Sequence, residues 1–243
     1  MWLQSINKSD IHPGLVSVMD EALRLLAEAG TPFKVYSGLR TFALQDTLYA
    51  KGRSKPGRVV TNARGGQSMH NYGLAVDSAP LNLLTKDPGD VWWPDPDRDA
   101  TIWSALDEAI SFAARGIPDV VEYEWGGRWR FRDVPHVQVR TTLSELRQGL
   151  YPYCTDVDWL VHAHTTFLLP TPWMNRRIQH LLNMLGYSAG PVDGFVGELT
   201  TNALDQFCVD RSLLGATRAQ VVEELVRQDY AATAKRSEPL CED

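Results

Sequence analysis

The feature that most restricts the fold is a change of periodicity near Leu150. Ahead of it, helical spacing alternates with short extended runs, whereas beyond residue 173 only helical spacing remains. Leu15, Val18, Met19, Ala22, Leu25, Leu26 and Ala29 recur at i, i+3 and i+4, with Pro13 in the first turn and Gly30 past the end, which predicts a helix. Phe33 to Tyr36 reads as extended, Phe42 to Tyr49 as helical and Gly73 to Val76 as extended again. Thr101 to Ala114 sets Ile102, Ala105, Leu106, Ile110 and Ala113 on one helical face. Tyr123 to Trp125 and His136 to Val139 read as strands flanking a turn at Gly126 and Gly127. Short strands framed by helices predict an α+β domain over residues 1–150. Pro152, Pro170 and Pro172 mark residues 151–173 as a linker. Met174, Ile178, Leu181, Leu182 and Leu185 then begin an all-α unit, with further helices starting near Glu198 and Arg218. Residues 174–230 thus form a three-helix domain near the lower size limit for independent folding, followed by a polar tail at 231–243.

Charge and composition exclude several classes of function. The net charge is -6 and no basic stripe runs through the sequence, which argues against a nucleic-acid partner. Arg128, Arg130, Arg132 and Arg140 alternate in one short segment, as a solvated strand face would. Cys154, Cys208 and Cys241 are odd in number and widely spaced, so neither a disulfide framework nor a thiolate metal site is expected. No apolar run approaches the ~20 residues that span a bilayer. Met1 to Asp10 lacks the basic-then-apolar pattern of a signal peptide. The expectation is a monomer made in the cytoplasm, with no membrane partner.

The chemistry concentrates in Ser68-Met69-His70-Asn71-Tyr72-Gly73-Leu74-Ala75-Val76-Asp77. The odd separation of His70 and Asp77 would place them on opposite faces of a straight strand. The chain must therefore turn before Asp77, and Gly73 can supply that freedom. Asp133-Val134-Pro135-His136 offers a second imidazole downstream. Two imidazoles and one carboxylate make a three-ligand zinc site whose fourth position is open to water, the arrangement of a hydrolase rather than of a structural zinc. A general base is then required. Asp133 is one candidate, held at a fixed distance from His136 by Pro135, and Glu124 is its rival. Arg40 is placed to stabilise an oxyanion or to grip a substrate carboxylate. The other histidines have blander explanations: His162 and His164 lie in the linker without a convergent acid, and His12 and His180 fall within helical patterns. Trp92 and Trp93 read most simply as a hydrophobic cap on a loop.

These residues resemble the zinc D-alanyl-D-alanine carboxypeptidase and L-alanyl-D-glutamate endopeptidase family, phage endolysins in particular, over roughly residues 5 to 140. The resemblance rests on Ser37-Gly38-Leu39-Arg40-Thr41, on Gln45 with Leu48 to Arg53, and on Thr61-Asn62-Ala63 with Gly65-Gly66. It continues through the Ser68 to Asp77 segment, Glu124-Trp125-Gly126-Gly127 and Asp133-Val134-Pro135-His136. It implies a small antiparallel sheet, zinc held by His70, Asp77 and His136, Asp133 as acid/base and Arg40 as a substrate or transition-state contact. Arg128 and Val137 depart from the acidic and aromatic residues common at these places in the family. The later segment, Ile178-Gln179, Leu181-Leu182, Leu185-Gly186-Tyr187 and Gly190 to Phe195, resembles the three-helix peptidoglycan-binding domain of cell-wall hydrolases. Together the two resemblances imply an endolysin that cuts the L-Ala–D-Glu bond of bacterial peptidoglycan and reaches the wall by holin-type release. The stretch from Lys51-Gly52-Arg53 to Asn71-Tyr72-Gly73 favours that bond. The alternatives are a D,D-carboxypeptidase acting on terminal D-Ala and a non-catalytic wall-binding protein.

Overall fold

A computed structural model describes residues 1–81, 95–117, 122–148, 150, 152 and 171–237. Trp92 and Trp93, the linker residues His162 and His164, and Cys154 and Cys241 lie outside the described residues. The chain divides into two compact units, Met1–Arg140 and Thr141–Asp243.

The first unit is α+β. Helix α1 (Pro13–Glu28) leads into strand β1 (Phe33–Ser37) and helix α2 (Phe42–Ala50). Strand β2 (Ala75–Pro80) and helix α3 (Ala100–Arg115) follow, and then strands β3 (Tyr123–Trp125) and β4 (His136–Val139). The strands form one antiparallel sheet in the order β1-β2-β4-β3. Alternation along β4 separates two chemistries. His136 and Gln138 leave one face, and Val137 and Val139 leave the other, all four buried. The register pairs Asp77 with His136 and Glu124 with Gln138, so these four polar residues share a face.

Helices α1 and α3 pack together. Phe33 of β1 meets Trp103 of α3 edge to face at 5.9 Å, a favoured aromatic geometry. The buried face of α1 is Leu15, Val18, Met19, Ala22, Leu23 and Leu26. Leu23 thus takes the inward place expected of Leu25, and Ala29 is exposed. On α3 the buried residues are Trp103, Leu106, Ala109, Ile110 and Ala113. The face is rotated from the expected one because the bulky Trp103 claims the interior position beside Phe33. The alternating arginines make no basic stripe: Arg128 pairs with Asp107 at 2.8 Å, Arg132 with Asp97 and Arg140 with Glu122.

The second unit contains a short helix α4 (Leu143–Arg147), begun by a capping box between Thr142 and Glu145. Helices α5 (Thr171–Met184), α6 (Glu198–Asp210) and α7 (Arg218–Ser237) follow. Helix α7 continues past residue 231, where the sequence suggested a polar tail; Ala231, Ala232, Ala234, Lys235 and Arg236 are good helix formers. Leu181, Leu182, Phe207, Val222 and Leu225 fill the core. Buried Gln179 holds the Val192-Asp193-Gly194-Phe195 reversal. Its Nε2 lies 3.0 Å from Asp193 Oδ1, 3.0 Å from the Phe195 carbonyl and 3.1 Å from Thr200 Oγ1. Its Oε1 accepts from the Gly194 amide at 2.8 Å. The motif residues therefore have a structural task. No helix among the described residues is long and apolar enough to cross a membrane.

Gln179→Leu keeps the volume but orphans several buried polar partners. The expected result is a loss of about 3 kcal/mol of stability, read by denaturant titration of the full chain together with loss of hydrogen-exchange protection in α5 and α6. Unchanged protection there would remove Gln179 from this role.

Candidate metal centre

Asp77 stands at the middle of the site. His136 on β4 lies opposite it in register and Ser37 on β1 pairs with it from the other side. His70 arrives from a 3-10 turn, Met69–Tyr72, that closes on Gly73 with φ +67°. This left-handed residue makes the reversal that the odd spacing of His70 and Asp77 requires. The Gly73 carbonyl accepts from the His12 amide at 2.8 Å, which ties the turn to the start of α1. Asn71, next to His70, accepts from the Gly66 amide at 2.9 Å and donates to the Arg40 carbonyl at 2.9 Å. The Gly65-Gly66 and Ser37-to-Thr41 blocks are thereby locked to the histidine turn.

His70 Nε2 is 3.1 Å and His136 Nδ1 3.2 Å from the same oxygen, Asp77 Oδ1. All three residues are buried, and their ligand atoms lie within 4.8 Å of one another. His70 Nδ1 is 2.7 Å from the Gly38 carbonyl, which can only accept. The ring proton therefore sits on Nδ1, and Nε2 turns a lone pair toward Asp77. Arg40 takes the other carboxylate oxygen, Oδ2, while its Nε and Nη2 bond Ser37 Oγ at 3.0 and 2.8 Å. Oδ1 is thus the oxygen left for a shared cation. Burial pushes the Asp77 carboxyl up, but the two imidazoles outweigh it and hold it well below the usual carboxylate range. Burial lowers His70 against the pull of Asp77. It also disfavours charge on His136, yet the bonds to Asp77 and Gln138 leave that imidazole raised. Two nitrogens and one carboxylate oxygen suit the donor preference of zinc.

Asp133 lies at the edge of this trio. It is exposed by surface area, but the protein packed around its carboxyl raises its pKa, first by burial and then by the negative charge of Asp77. Its carboxylate makes no hydrogen bond among the described residues. Its backbone holds the turn instead: its amide donates to the Gly126 carbonyl at 3.0 Å and its carbonyl accepts from the His136 amide at 3.0 Å. Trp125 Nε1 adds a bond to the Val134 carbonyl at 2.7 Å. The Glu124-Trp125-Gly126-Gly127 block is therefore a brace for the Asp133-to-His136 turn. Glu124, the rival base, reaches the centre through Gln138, whose Nε2 donates to it at 3.3 Å.

The structure brings His70, Asp77, His136, Asp133 and Arg40 together, and adds residues that the sequence did not single out. Gln138 Oε1 lies 3.0 Å from His136 Nε2. The half-buried Trp129 ring lies 5.1 Å from the His136 ring. Tyr36 sits near Asp77, Asp133 and Arg40, its phenol raised first by burial and then by the two acids. The signal for Gln138 was the His-x-Gln alternation on β4, which places both side chains on one face.

Two family models, both described as D-alanyl-D-alanine carboxypeptidase, match residues 8–88 and 61–139. The peptidoglycan L-alanyl-D-glutamate endopeptidase CwlK of Bacillus subtilis (strain 168) is 39% identical over 132 residues, covering 54% of this chain and 74% of that protein. The crystal structure of the Serratia marcescens L-Ala D-Glu endopeptidase ChiX is similar with a TM-score of 0.40 and 28% identity, over 57% of this chain and 90% of that one.

The brace makes a paired prediction. A Cβ on Gly126 would stand 2.4 Å from the Asp133 carbonyl oxygen, whereas one on Gly116 meets nothing closer than 3.6 Å. Gly126→Ala should displace the Asp133-to-His136 turn, destabilise the protein by at least ~1 kcal/mol and weaken metal uptake. Gly116→Ala should be neutral or slightly stabilising. Thermal melts and metal titration of both variants check this; equal behaviour would contradict it.

Proposed function

This chain belongs to the D-alanyl-D-alanine carboxypeptidase family, and we propose that it is a zinc peptidase hydrolysing the L-alanyl-D-glutamate bond in the stem peptide of bacterial peptidoglycan. The convergence of His70, Asp77 and His136 on one buried point carries the metal assignment. The likeness to the Bacillus endopeptidase supports the bond choice. The family descriptions support a second reading, release of terminal D-Ala, and the two differ in product: a cut within the stem or free D-Ala.

His70 Nε2, Asp77 Oδ1 and His136 Nδ1 would hold the zinc. A zinc ion bound there supplies Lewis acidity, polarising the scissile carbonyl and activating water as a nucleophile. The protein's own groups manage the protons. Asp133, with its carboxylate uncommitted, takes a proton from the attacking water as oxygen bonds to the carbonyl carbon. It returns that proton to the leaving amine as the C–N bond breaks. Its raised pKa suits a group that must both accept and donate. Arg40 fixes Asp77 through Nη2 and Ser37 through Nε and Nη2, leaving Nη1 for the developing oxyanion or a substrate carboxylate. Trp129 offers the stem peptide an apolar wall beside His136.

The second unit is proposed to bind peptidoglycan, on the resemblance of its Leu185-Gly186-Tyr187 and Gly190-to-Phe195 segments to wall-binding domains. A wall peptidase joined to a wall binder supports a bacteriolytic, endolysin-like role for a monomer that reaches the wall by holin-type release.

Metal analysis of the full chain should find one zinc, lost in His136→Ala; full retention in that variant would contradict the ligand set. Asp133→Asn should keep zinc and melting temperature while losing about 10²–10⁴-fold in rate. A folded, zinc-loaded Asp133→Asn at near-normal rate would exclude Asp133. Deleting residues from 171 onward should spare hydrolysis of soluble muropeptides and abolish co-sedimentation with wall sacculi, and undiminished co-sedimentation would remove the wall-binding role.

A further inference from the structure

His136 approaches the centre through Nδ1 and Gln138 through Nε2. Either ring nitrogen can carry the single proton of a neutral imidazole, so the ring alone does not decide which one offers a lone pair. Gln138 does not decide it alone either, because its amide presents a carbonyl oxygen in one orientation and an NH₂ group in the other. The next residue out removes the ambiguity. An ionised Glu124 carboxylate can only accept, and it lies 3.3 Å from the Gln138 amide nitrogen. Facing it, Gln138 must turn its NH₂ outward and its oxygen toward His136 Nε2. That oxygen in turn requires a proton on Nε2, which leaves the Nδ1 lone pair to face Asp77 Oδ1 and His70.

The sheet sets these distances. Glu124 and Gln138 are directly paired across β3 and β4, and Gln138 follows His136 by two residues on the same face. Gln138 is buried, so its amide has little water to exchange partners with. Glu124 is partly exposed and is steadied by Arg140 Nε at 3.7 Å from Oε1. The Arg140 guanidinium also pairs with Glu122.

We infer that Glu124 and Gln138 are positioning residues for the metal site: the carboxylate orients the amide, and the amide fixes His136 with its Nδ1 lone pair toward the metal. This gives Glu124 a task different from that of a general base. The inference rests on the zinc assignment to His70, Asp77 and His136.

Zinc affinity, measured on the full chain by chelator competition with the metal alone, separates the possibilities. Gln138→Leu removes the acceptor and should weaken zinc binding about 10–100-fold. The double exchange Gln138→Glu with Glu124→Gln keeps an acceptor beside His136 Nε2 and reverses only the outer hydrogen bond: the new carboxylate accepts both from His136 and from the new amide. It should restore affinity to within about threefold of the unaltered protein, by analogy with the carboxylate–histidine–zinc pattern. Glu124→Leu, at a partly exposed position, frees the amide to flip and should weaken zinc several-fold even if Gln138→Leu fails to fold. The metal-free melting temperature is measured alongside. A role in packing alone would lower it while leaving zinc affinity unchanged, and that result overturns the inference. Failure of the double exchange to improve on Gln138→Leu, or undiminished affinity in Glu124→Leu, also overturns it. If the unaltered protein takes up no zinc, the metal assignment falls first and this inference with it.

Discussion

Burying a carboxylate oxygen against imidazole lone pairs is unfavourable unless a cation joins them. Asp77 Oδ1 has His70 Nε2 on one side and His136 Nδ1 on the other, at 3.1 and 3.2 Å. A divalent metal would satisfy all three groups at once. Much of the first unit follows from the need to hold these buried groups together.

The supports fall into three sets. The Gly38 carbonyl orients His70, and Asn71 binds that turn to the loops on either side. Arg40 and Ser37 occupy the far side of Asp77, so the carboxylate presents one oxygen rather than both. The close approach at Gly126, with the Trp125 bond to Val134, fixes the turn carrying Asp133 and His136. Each support lies on the sheet or its adjoining turns, which suits a site needing rigid ligands and one uncommitted acid. Asp133, whose carboxylate makes no hydrogen bond among the described residues, is the acid proposed for that task.

The sequence made the strands beginning at Phe33, Tyr123 and His136 legible, whereas the run expected at Gly73 to Val76 starts only at Ala75 and continues to Pro80, because Gly73 is spent on the left-handed end of the preceding turn. Tyr123–Trp125 and His136–Val139 coincide with their expected limits. The helix faces were less legible. Both α1 and α3 carry apolar residues around more than one stripe, so tertiary neighbours such as Phe33 chose between Leu23 and Leu25, and between Trp103 and Ile102. The trio of His70, Asp77 and His136, which could hold a metal, was readable from residue type and spacing, and Gly73 from the geometry that spacing demanded. Arg40 was readable as part of the site but not as a partner of Asp77, which lies far along the chain. Gln138 and Trp129 escaped notice because neither is a titratable group; Gln138 shares a face of β4 with His136, and Trp129 follows the Gly126–Arg128 turn. Glu124 was noticed for its charge, while its distance from the centre depended on pairing across β3 and β4.

The convergence of three protein donors on one zinc ion is the claim on which the catalytic account depends. Zinc K-edge X-ray absorption on the full chain loaded with one equivalent of metal addresses it most directly. The account predicts a first shell of nitrogen and oxygen at ~2.0–2.2 Å with the multiple-scattering pattern of two imidazoles, and loss of one imidazole contribution in His70→Ala. A sulfur scatterer at ~2.3 Å, or a shell without imidazole, would place the metal elsewhere and contradict the account.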